Sequence, residues 1–362
     1  NFDFFLDEIE SNFPKQKDQF QTLLKKMADF DAYSVDVPDI STRKILKEIF
    51  SEPLLGEILL CPTCYYGSAQ DNDIDFATFV MLFDAIFKQG LARPNSGIRA
   101  LLDPLVKKID ELGITRLMNS GVQSINSDNE LAREIIMESG EVFTADQIIS
   151  TCGFVETEEL LTNSKPNPAE SEKGKFSVIE NISVFKGIPS DFGWNETIVF
   201  FNDSEKFRYE EPKENIDLQS GVICLPENYL DPQNKDKKEA RLRITNPANF
   251  SKWSSLKEED YIEEKQNCET RMLDKALSYL PNGIQQKDRL LNATIMTDTF
   301  TPRTIKKYTN HSNGALYGSP RKSRTGSTHL KNLFLAGTDQ GYIGIVGAML
   351  GGIAVANNRI LR

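Results

Sequence analysis

Apolar positions recur every three to four residues through the first part of the chain. Phe20, Leu23, Leu24 and Met27 share one helical face, and Phe76, Phe79, Val80, Phe83, Ile86 and Phe87 share another. Residues 1–95 are therefore predicted to be helical. Their Phe-rich faces fit ordinary core packing. They also fit the wall of a pocket for a long apolar substrate, or a surface that docks on a membrane. A sharper unit follows in "NSGIRALLDPLVKKIDELG", residues 95–113. Asn95 or Ser96 can cap a helix whose stripe is Ile98, Leu101, Leu102, Leu105, Ile109 and Leu112. Gly113 can end it, and Pro104 inside it predicts a kink.

Beyond this helix the period shortens. Strands are predicted over 114–125, 132–137 and 142–149, with "ESGE" turning between the last two. "ADQIISTCG" ends such a strand in small residues, which lets another group approach the backbone. Residues 163–174, "NSKPNPAESEKG", form a polar boundary loop. Five further strand candidates follow: "FSVIENISVF", "ETIVFF", "SGVICLP", "ARLRIT" and "LLNATIMT". A helix carrying Tyr261, Cys268, Met272, Ala276 and Leu280 on one face interrupts them. The pattern predicts an α+β unit with a largely antiparallel sheet. The charged stretch 231–241, with Lys235, Lys237 and Lys238 among acids, reads as an exposed loop.

Two segments carry candidate chemistry. "NLFLAGTDQGYIGIVGAMLGG", residues 332–352, reads as a buried parallel strand, a glycine-rich turn and an apolar helix running to about Ile360. A helix N-terminus offers unpaired N–H groups, and glycines admit a ligand close to the main chain. Asp339 in the turn opposes a bare phosphate but accepts hydrogen bonds from hydroxyls. The spacing Gly337-x3-Gly341-x2-Gly344 also suits a turn that merely packs a helix on a sheet. The second segment, "TPRTIKKYTNHSNGALYGSP" at 301–320, gathers Arg303, Thr304, Tyr308, His311 and Tyr317 around Gly314 and Gly318. Such a mixture fits either a loop lining a site or a plain polar loop.

Composition narrows the field. The chain has 362 residues, room for two domains, and a net charge of −11 that argues against nucleic acid as a partner. No apolar run reaches the length of a membrane span, and no signal peptide is recognisable. Five cysteines at irregular spacing do not make a disulfide framework. The lone pair Cys61-x-x-Cys64 has no second pair, and there are only two histidines, so no metal site is expected. No G-x-S-x-G elbow is present.

The segments at 301–320 and 332–352 together resemble the C-terminal part of the phytoene desaturase-like flavoproteins, relatives of carotenoid desaturases, carotene isomerases and retinol saturases. "PNSGIRALLDPLVKKIDELG", "GEVFTADQIISTCGFVET", "CPTCYYGSAQDNDIDFATFVMLFDAIFKQGLARP" and "RITNPANFSKWSSLKEEDY" are also similar to family segments, in the same order. The resemblance covers most of residues 45–362. It implies an α/β and α+β chain: a partial, Rossmann-like FAD-binding domain of the two-dinucleotide-binding-domain type, plus a substrate domain with helices and a mixed or antiparallel sheet. The implied division is 1–95 as the helical part of the substrate domain, 96–162 as an FAD-domain segment, 163–325 as the substrate domain and 326–362 as the closing FAD-domain strand and helix.

FAD is the implied cofactor. Gly337 and Asp339 would lie at its ribityl and phosphate end. Gly344, Ile345 and Val346 would face the pyrimidine edge, Val122 the adenine, and Ser150, Thr151, Cys152 and Gly153 would pass close by. Arg303, Thr304, Tyr308, His311 and Tyr317 would face the substrate. No catalytic residue is implied. The implied reaction is hydride transfer between flavin N5 and an apolar, isoprenoid or polyene-type substrate, as desaturation, saturation or flavin-dependent isomerisation. A cytoplasmic or peripheral membrane location follows from such substrates. The family's G-x-G-x-x-G turn is missing, because no two glycines here are separated by a single residue. With Asn1 in place of Met, this implies a fragment lacking the N-terminal β-α-β unit. The other reading is a degenerate member that carries apolar ligands without cofactor. Oligomeric state is not legible.

Overall fold

The structure, a computed structural model, describes residues 2–94, 97–128, 130–162, 168–229 and 238–361. The first part is helical: α1 (Phe2–Asn12), α2 (Lys17–Ala28), α3 (Thr42–Ile49), α4 (Pro53–Gly67) and α5 (Phe76–Phe83). Phe20, Phe76, Phe79 and Phe83 are fully buried and pack with one another. These Phe faces are core. Cys61 and Cys64 lie in α4, where burial pushes the Cys61 thiol up to about 12 and raises that of Cys64 as well. Neither is a ready thiolate.

A buried ion pair inside the helical part also holds Phe207 of the second half. The Arg43 guanidinium meets Glu57 Oε1 at 2.5 Å and donates to the carbonyls of Asn72 and Phe207. Glu57 Oε2 accepts from the Phe207 N–H at 3.0 Å.

The next helix, α6 (Arg99–Glu111), runs unbroken through Pro104 and ends at Gly113, whose φ of +67° suits a helix C-terminus. Its proposed caps, Asn95 and Ser96, lie outside the described residues. The apolar stripe is not covered by any described element, and Leu101, Leu102, Leu105 and Leu112 are exposed. After it come β1 (Val122–Ser127), β2 (Ala132–Met137), β3 (Val142–Phe143), β4 (Ile148–Ser150), α7 (Phe154–Leu160) and β5 (Leu161–Thr162). Four of these strands form a sheet in the order β3-β2-β1-β5.

Two expectations are corrected here. The strand expected over 114–125 begins only at Val122, since Asn119 takes a left-handed φ of +55° and breaks it. The strand expected over 142–149 is two: β3 pairs with β2, whereas β4 leaves for another sheet.

The second half opens with β6 (Ser177–Lys186), β7 (Ile198–Asn202), β8 (Ser220–Cys224) and β9 (Glu239–Ala248). Then follow α8 (Phe250–Ser255), α9 (Glu258–Leu277), α10 (Lys287–Ala293), β10 (Thr294–Phe300) and α11 (Pro302–Thr309). The five strands pair antiparallel throughout, in the order β10-β6-β9-β8-β7. Alternation divides their side chains between two cores. Val178 and Val222 join the helical part on one face, while Ile179 and Ile223 meet Trp253, Cys268 and Met272 on the other.

Here too the structure adjusts expectations. Residues 290–293 close α10 rather than opening a strand, and residues 239–241 belong to β9. Residues 163–167 of the boundary loop and 231–237 of the charged stretch lie outside the described residues. Residues 302–309 are a helix rather than a loop. Pro302 sits at its first turn, where a missing N–H costs nothing, and Thr301 precedes it.

The chain closes with β11 (Leu333–Leu335) and α12 (Gly344–Val355). β11 is fully buried and pairs parallel with β4, Leu333 opposite Ile148 and Leu335 opposite Ser150. No helix among the described residues is long and apolar enough to cross a membrane.

Candidate functional site

Parallel pairing brings the C-terminal ends of β4 and β11 side by side. Open α/β sheets bind ligands at such ends. β4 runs into Thr151–Gly153 and then α7; β11 runs into Gly337, a short 3-10 turn at Thr338–Gln340, and then α12. The ladder is extended by the Ala336 N–H, which donates to Ser150 O at 2.9 Å.

Gly337 has φ +95° and ψ −138°, a conformation essentially reserved for glycine. Its N–H donates to Gln340 Oε1 at 3.0 Å, and Gln340 Nε2 donates to Gly351 O at 3.3 Å. The fully buried Gln340 thus clamps the turn to α12. A Cβ at Gly351 would stand 2.1 Å from Gln340 Oε1, while one at Gly352 would meet nothing within 4 Å. Gly351→Ala is expected to lower unfolding free energy by about 1–3 kcal/mol through overpacking. Gly352→Ala is expected to raise it by up to about 1 kcal/mol through helix propensity. Urea unfolding of the pair checks both signs; equal effects would show that the clamp is slack.

Asp339 is 2% exposed. Its Oδ1 accepts from the Ser319 N–H at 3.0 Å and from Lys322 Nζ at 2.8 Å, and its Oδ2 accepts from the Phe154 N–H at 2.7 Å. The carboxylate therefore joins the β4–α7 corner, the loop before β11 and the turn after it. Lys322 Nζ also donates to Tyr317 O at 2.6 Å and Thr338 O at 3.2 Å. Burial pushes its pKa down and Asp339 opposes that shift. Nearby, Glu156 Oε1 accepts from the Ser312 N–H at 2.6 Å. Gly153, with φ +113°, allows this crowding, since a Cβ there would lie 2.3 Å from Glu156 Oε2.

A cleft of about 330 Å³ opens over the turn. Its lining includes Gly337, Thr338, Tyr342, Gly344 and Ile345 from the turn and Leu316, Tyr317 and Lys322 from the segment ahead of β11. Among the described lining residues there is no carboxylate. A Cβ at Gly344 would meet nothing within 4 Å, and one at Gly337 would meet Thr151 O at 4.0 Å. The first N–H groups of α12 have no carbonyl a turn earlier to receive them, and Ile345 and Val346 are exposed.

The residues expected at a site are thus distributed as follows. Gly337, Gly344, Ile345 and Tyr317 line the cleft, with Val346 adjoining in the first turn of α12 and Asp339 just beneath the turn. Thr151 is exposed at the end of β4, and Cys152 contacts the hydroxyls of Ser150 and Thr157. Val122 stands half-exposed at the start of β1, away from the cleft lining. Tyr317 donates to Tyr65 O at 2.6 Å, and burial raises its phenol pKa.

The other expected substrate-facing residues serve different contacts. Arg303 donates to the carbonyls of Trp253, Ser254 and Leu256, and its guanidinium stacks 4.4 Å from the Tyr261 ring centre. Thr304 accepts from the Thr301 N–H, Tyr308 points to solvent, and His311 Nδ1 meets Ala315 O at 2.9 Å. Lys322, Gln340, Tyr342 and Glu156 were not foreseen. Each is a single polar or aromatic residue without periodic spacing, so no pattern in the chain marks it.

The sequence profile of the family described as flavin-containing amine oxidoreductase matches residues 10–360. The chain belongs to the flavin-containing amine oxidoreductase family. Among solved structures, the fold of this family member is similar to that of a putrescine oxidase bound to putrescine. Identity is 13%, the TM-score is 0.61, and the match covers 96% of this chain and 76% of that one. A redesigned double mutant of putrescine oxidase gives 14% identity and a TM-score of 0.60 over the same shares. A reduced UDP-galactopyranose mutase matches at 12% identity and a TM-score of 0.40, over 96% of this chain and 74% of that one. No curated protein matches the sequence. The family is thereby established at the level of flavin-containing amine oxidoreductases.

Proposed function

We propose that this protein is an FAD-dependent oxidoreductase whose flavin meets the turn from Gly337 to Val346, and that its substrate is apolar, of the isoprenoid or polyene type. One observation carries the reading. The ends of two parallel strands converge on a glycine turn and a helix N-terminus, and Gly344 at that N-terminus leaves open space beside a cleft. The residues present fit a flavin edge. Backbone N–H groups of Gly344, Ile345 and Val346 would hold it, and Gly337 and Thr338 would border it. When bound, FAD supplies two-electron redox chemistry.

The chain's own residues orient and exclude. The partial positive charge of the α12 N-terminus favours an electron-rich ligand edge. Leu316, Tyr342, Ile343 and Ala348 give the cleft an apolar wall. Among the described residues that line it, the one cation is Lys322, which is paired with Asp339. A cleft without a lining carboxylate suits an apolar substrate better than a protonated amine. The pyrophosphate-binding G-x-G-x-x-G turn of dinucleotide folds does not occur in these 362 residues. The proposal therefore concerns the flavin end of the cofactor.

Titration with FAD, followed by quenching of flavin fluorescence, tests the first half. Ile345→Asp places a carboxylate in the first turn of α12. It is expected to weaken FAD binding about tenfold or more while leaving stability within about 0.5 kcal/mol, because an acid suits a helix N-terminus. A wild-type protein that takes up no FAD, or an Ile345→Asp variant that binds it unchanged, overturns this placement. Turnover of a polyene against an aliphatic diamine tests the second half; preference for the diamine would overturn it.

A further inference from the structure

Lys322 stands between two cavities. One is the cleft over Gly337 and Gly344. The other, of about 360 Å³, is bordered by Val35, Val37, Asp39 and Asp75. Thr78, Lys322 and Gly341 line both. The Lys322 stem lies so close to Gly341 that a Cβ there would be 3.1 Å from Lys322 Cβ.

The ammonium has three N–H donors, and three oxygens receive them: Tyr317 O, Thr338 O and Asp339 Oδ1. These oxygens belong to two separate segments that border the cleft. Tyr317 O lies on the loop ahead of β11, while Thr338 O and the Asp339 carboxylate lie on the turn behind it. The same strap is stitched again by the Ser323 N–H, which donates to Asp339 O at 2.9 Å. With every proton committed to the protein, Lys322 has none to offer a ligand.

We propose that Lys322 is a positioning residue: it sets the gap between the Tyr317 loop and the Thr338–Gly344 turn, and through that gap the grip of the cleft on a flavin. The inference rests on the flavin site proposed above. It assigns Lys322 a role distinct from proton transfer. Without the ammonium, two carbonyls and a buried carboxylate lose their shared donor, and the walls part. The Phe154 and Ser319 amides then hold a carboxylate that no longer has a cation beside it.

The test compares wild type, Lys322→Met and Lys322→Arg in two measurements. The first is FAD affinity by fluorescence quenching. The second is amide hydrogen exchange at Phe154 and Ser319 in the cofactor-free protein. Lys322→Met is expected to weaken FAD binding about tenfold or more, given the usual strength of hydrogen bonds to charged groups, and to speed exchange at both amides. Lys322→Arg restores charge and donors and is expected to return affinity to within about threefold of wild type. Should Lys322→Met fail to fold, Lys322→Gln takes its place in the same comparison.

Wild type that binds FAD beside a Lys322→Met variant that binds it equally well overturns the positioning role and leaves the flavin site standing. Weakened binding with unchanged exchange at Phe154 and Ser319 also overturns it, since the effect would not pass through the walls. Wild type that binds no FAD removes the flavin site and this inference together.

Discussion

Glu57→Ala is expected to cost the fold about 3–5 kcal/mol, one of the two largest losses predicted for a single substitution here. Both members of the Arg43–Glu57 pair are about nine-tenths buried. The attraction between them does not by itself explain so large a loss, because desolvating two charges offsets most of it. The loss comes from what remains. Among the described residues Arg43 then keeps the Asn72 and Phe207 carbonyls as side-chain partners for its charge, and the Phe207 N–H loses its acceptor. Arg43→Met should cost a similar amount, through the stranded carboxylate. The double variant Arg43→Met/Glu57→Leu should recover much of the loss, since it buries no unpaired charge. Denaturant unfolding of the four proteins gives the cycle. A single-variant cost below about 1 kcal/mol would mean that water reaches the pair.

Asp339→Ala is the second. It removes three contacts at once, leaving the Phe154 and Ser319 N–H groups without their acceptor and the Lys322 ammonium without its counter-charge. A loss of about 3–5 kcal/mol is expected, concentrated in the corner after β4 and the turn after β11. Asn is not a mild replacement. Donors approach both carboxylate oxygens, and an amide offers one oxygen only, so its NH₂ would confront either Phe154 or the Ser319 and Lys322 pair. Asp339→Asn should therefore fall nearer to Ala than to wild type, and both should lose FAD uptake. Unfolding curves and flavin titration check this. An Asn variant that matches wild type in both would show that the carboxylate does not organise the cleft.

The carboxylate also marks how far the sequence could be read. Segments with one dominant period were legible. The strand candidate "FSVIENISVF" is β6, and the continuous run Leu333–Ala336 predicted the buried parallel strand β11. The glycines at 337, 341 and 344 marked the turn. Segments whose form depends on distant partners were not legible. Residues 142–149 look like one strand, yet β3 and β4 answer to different neighbours. The helix α11 was hidden by its polar surface, although Thr301 and Pro302 are start signals. Asp339 looked available to a ligand's hydroxyls; its internal partners lie 17, 20 and 185 residues away and leave no local trace. The leucine stripe of α6 showed the reverse case, with a clear pattern and no described element against it.

The β4–β11 pairing also has a bearing on how the molecule assembles in time. Ile148 and Leu333 are roughly 185 residues apart in sequence, whereas the pairs β1–β2 and β7–β8 close over far shorter loops. Loop closure of that length brings no compensating contacts until the intervening sheet and its helices are in place. The helical part and the antiparallel sheet can therefore form early and separately, and the ends of β4 and β11 meet last. Refolding should show two phases, with tryptophan burial at Trp194 and Trp253 preceding the recovery of any ligand-binding signal. During synthesis, the same order leaves the corner after Ser150 without its partner until nearly all of this sequence has emerged from the ribosome.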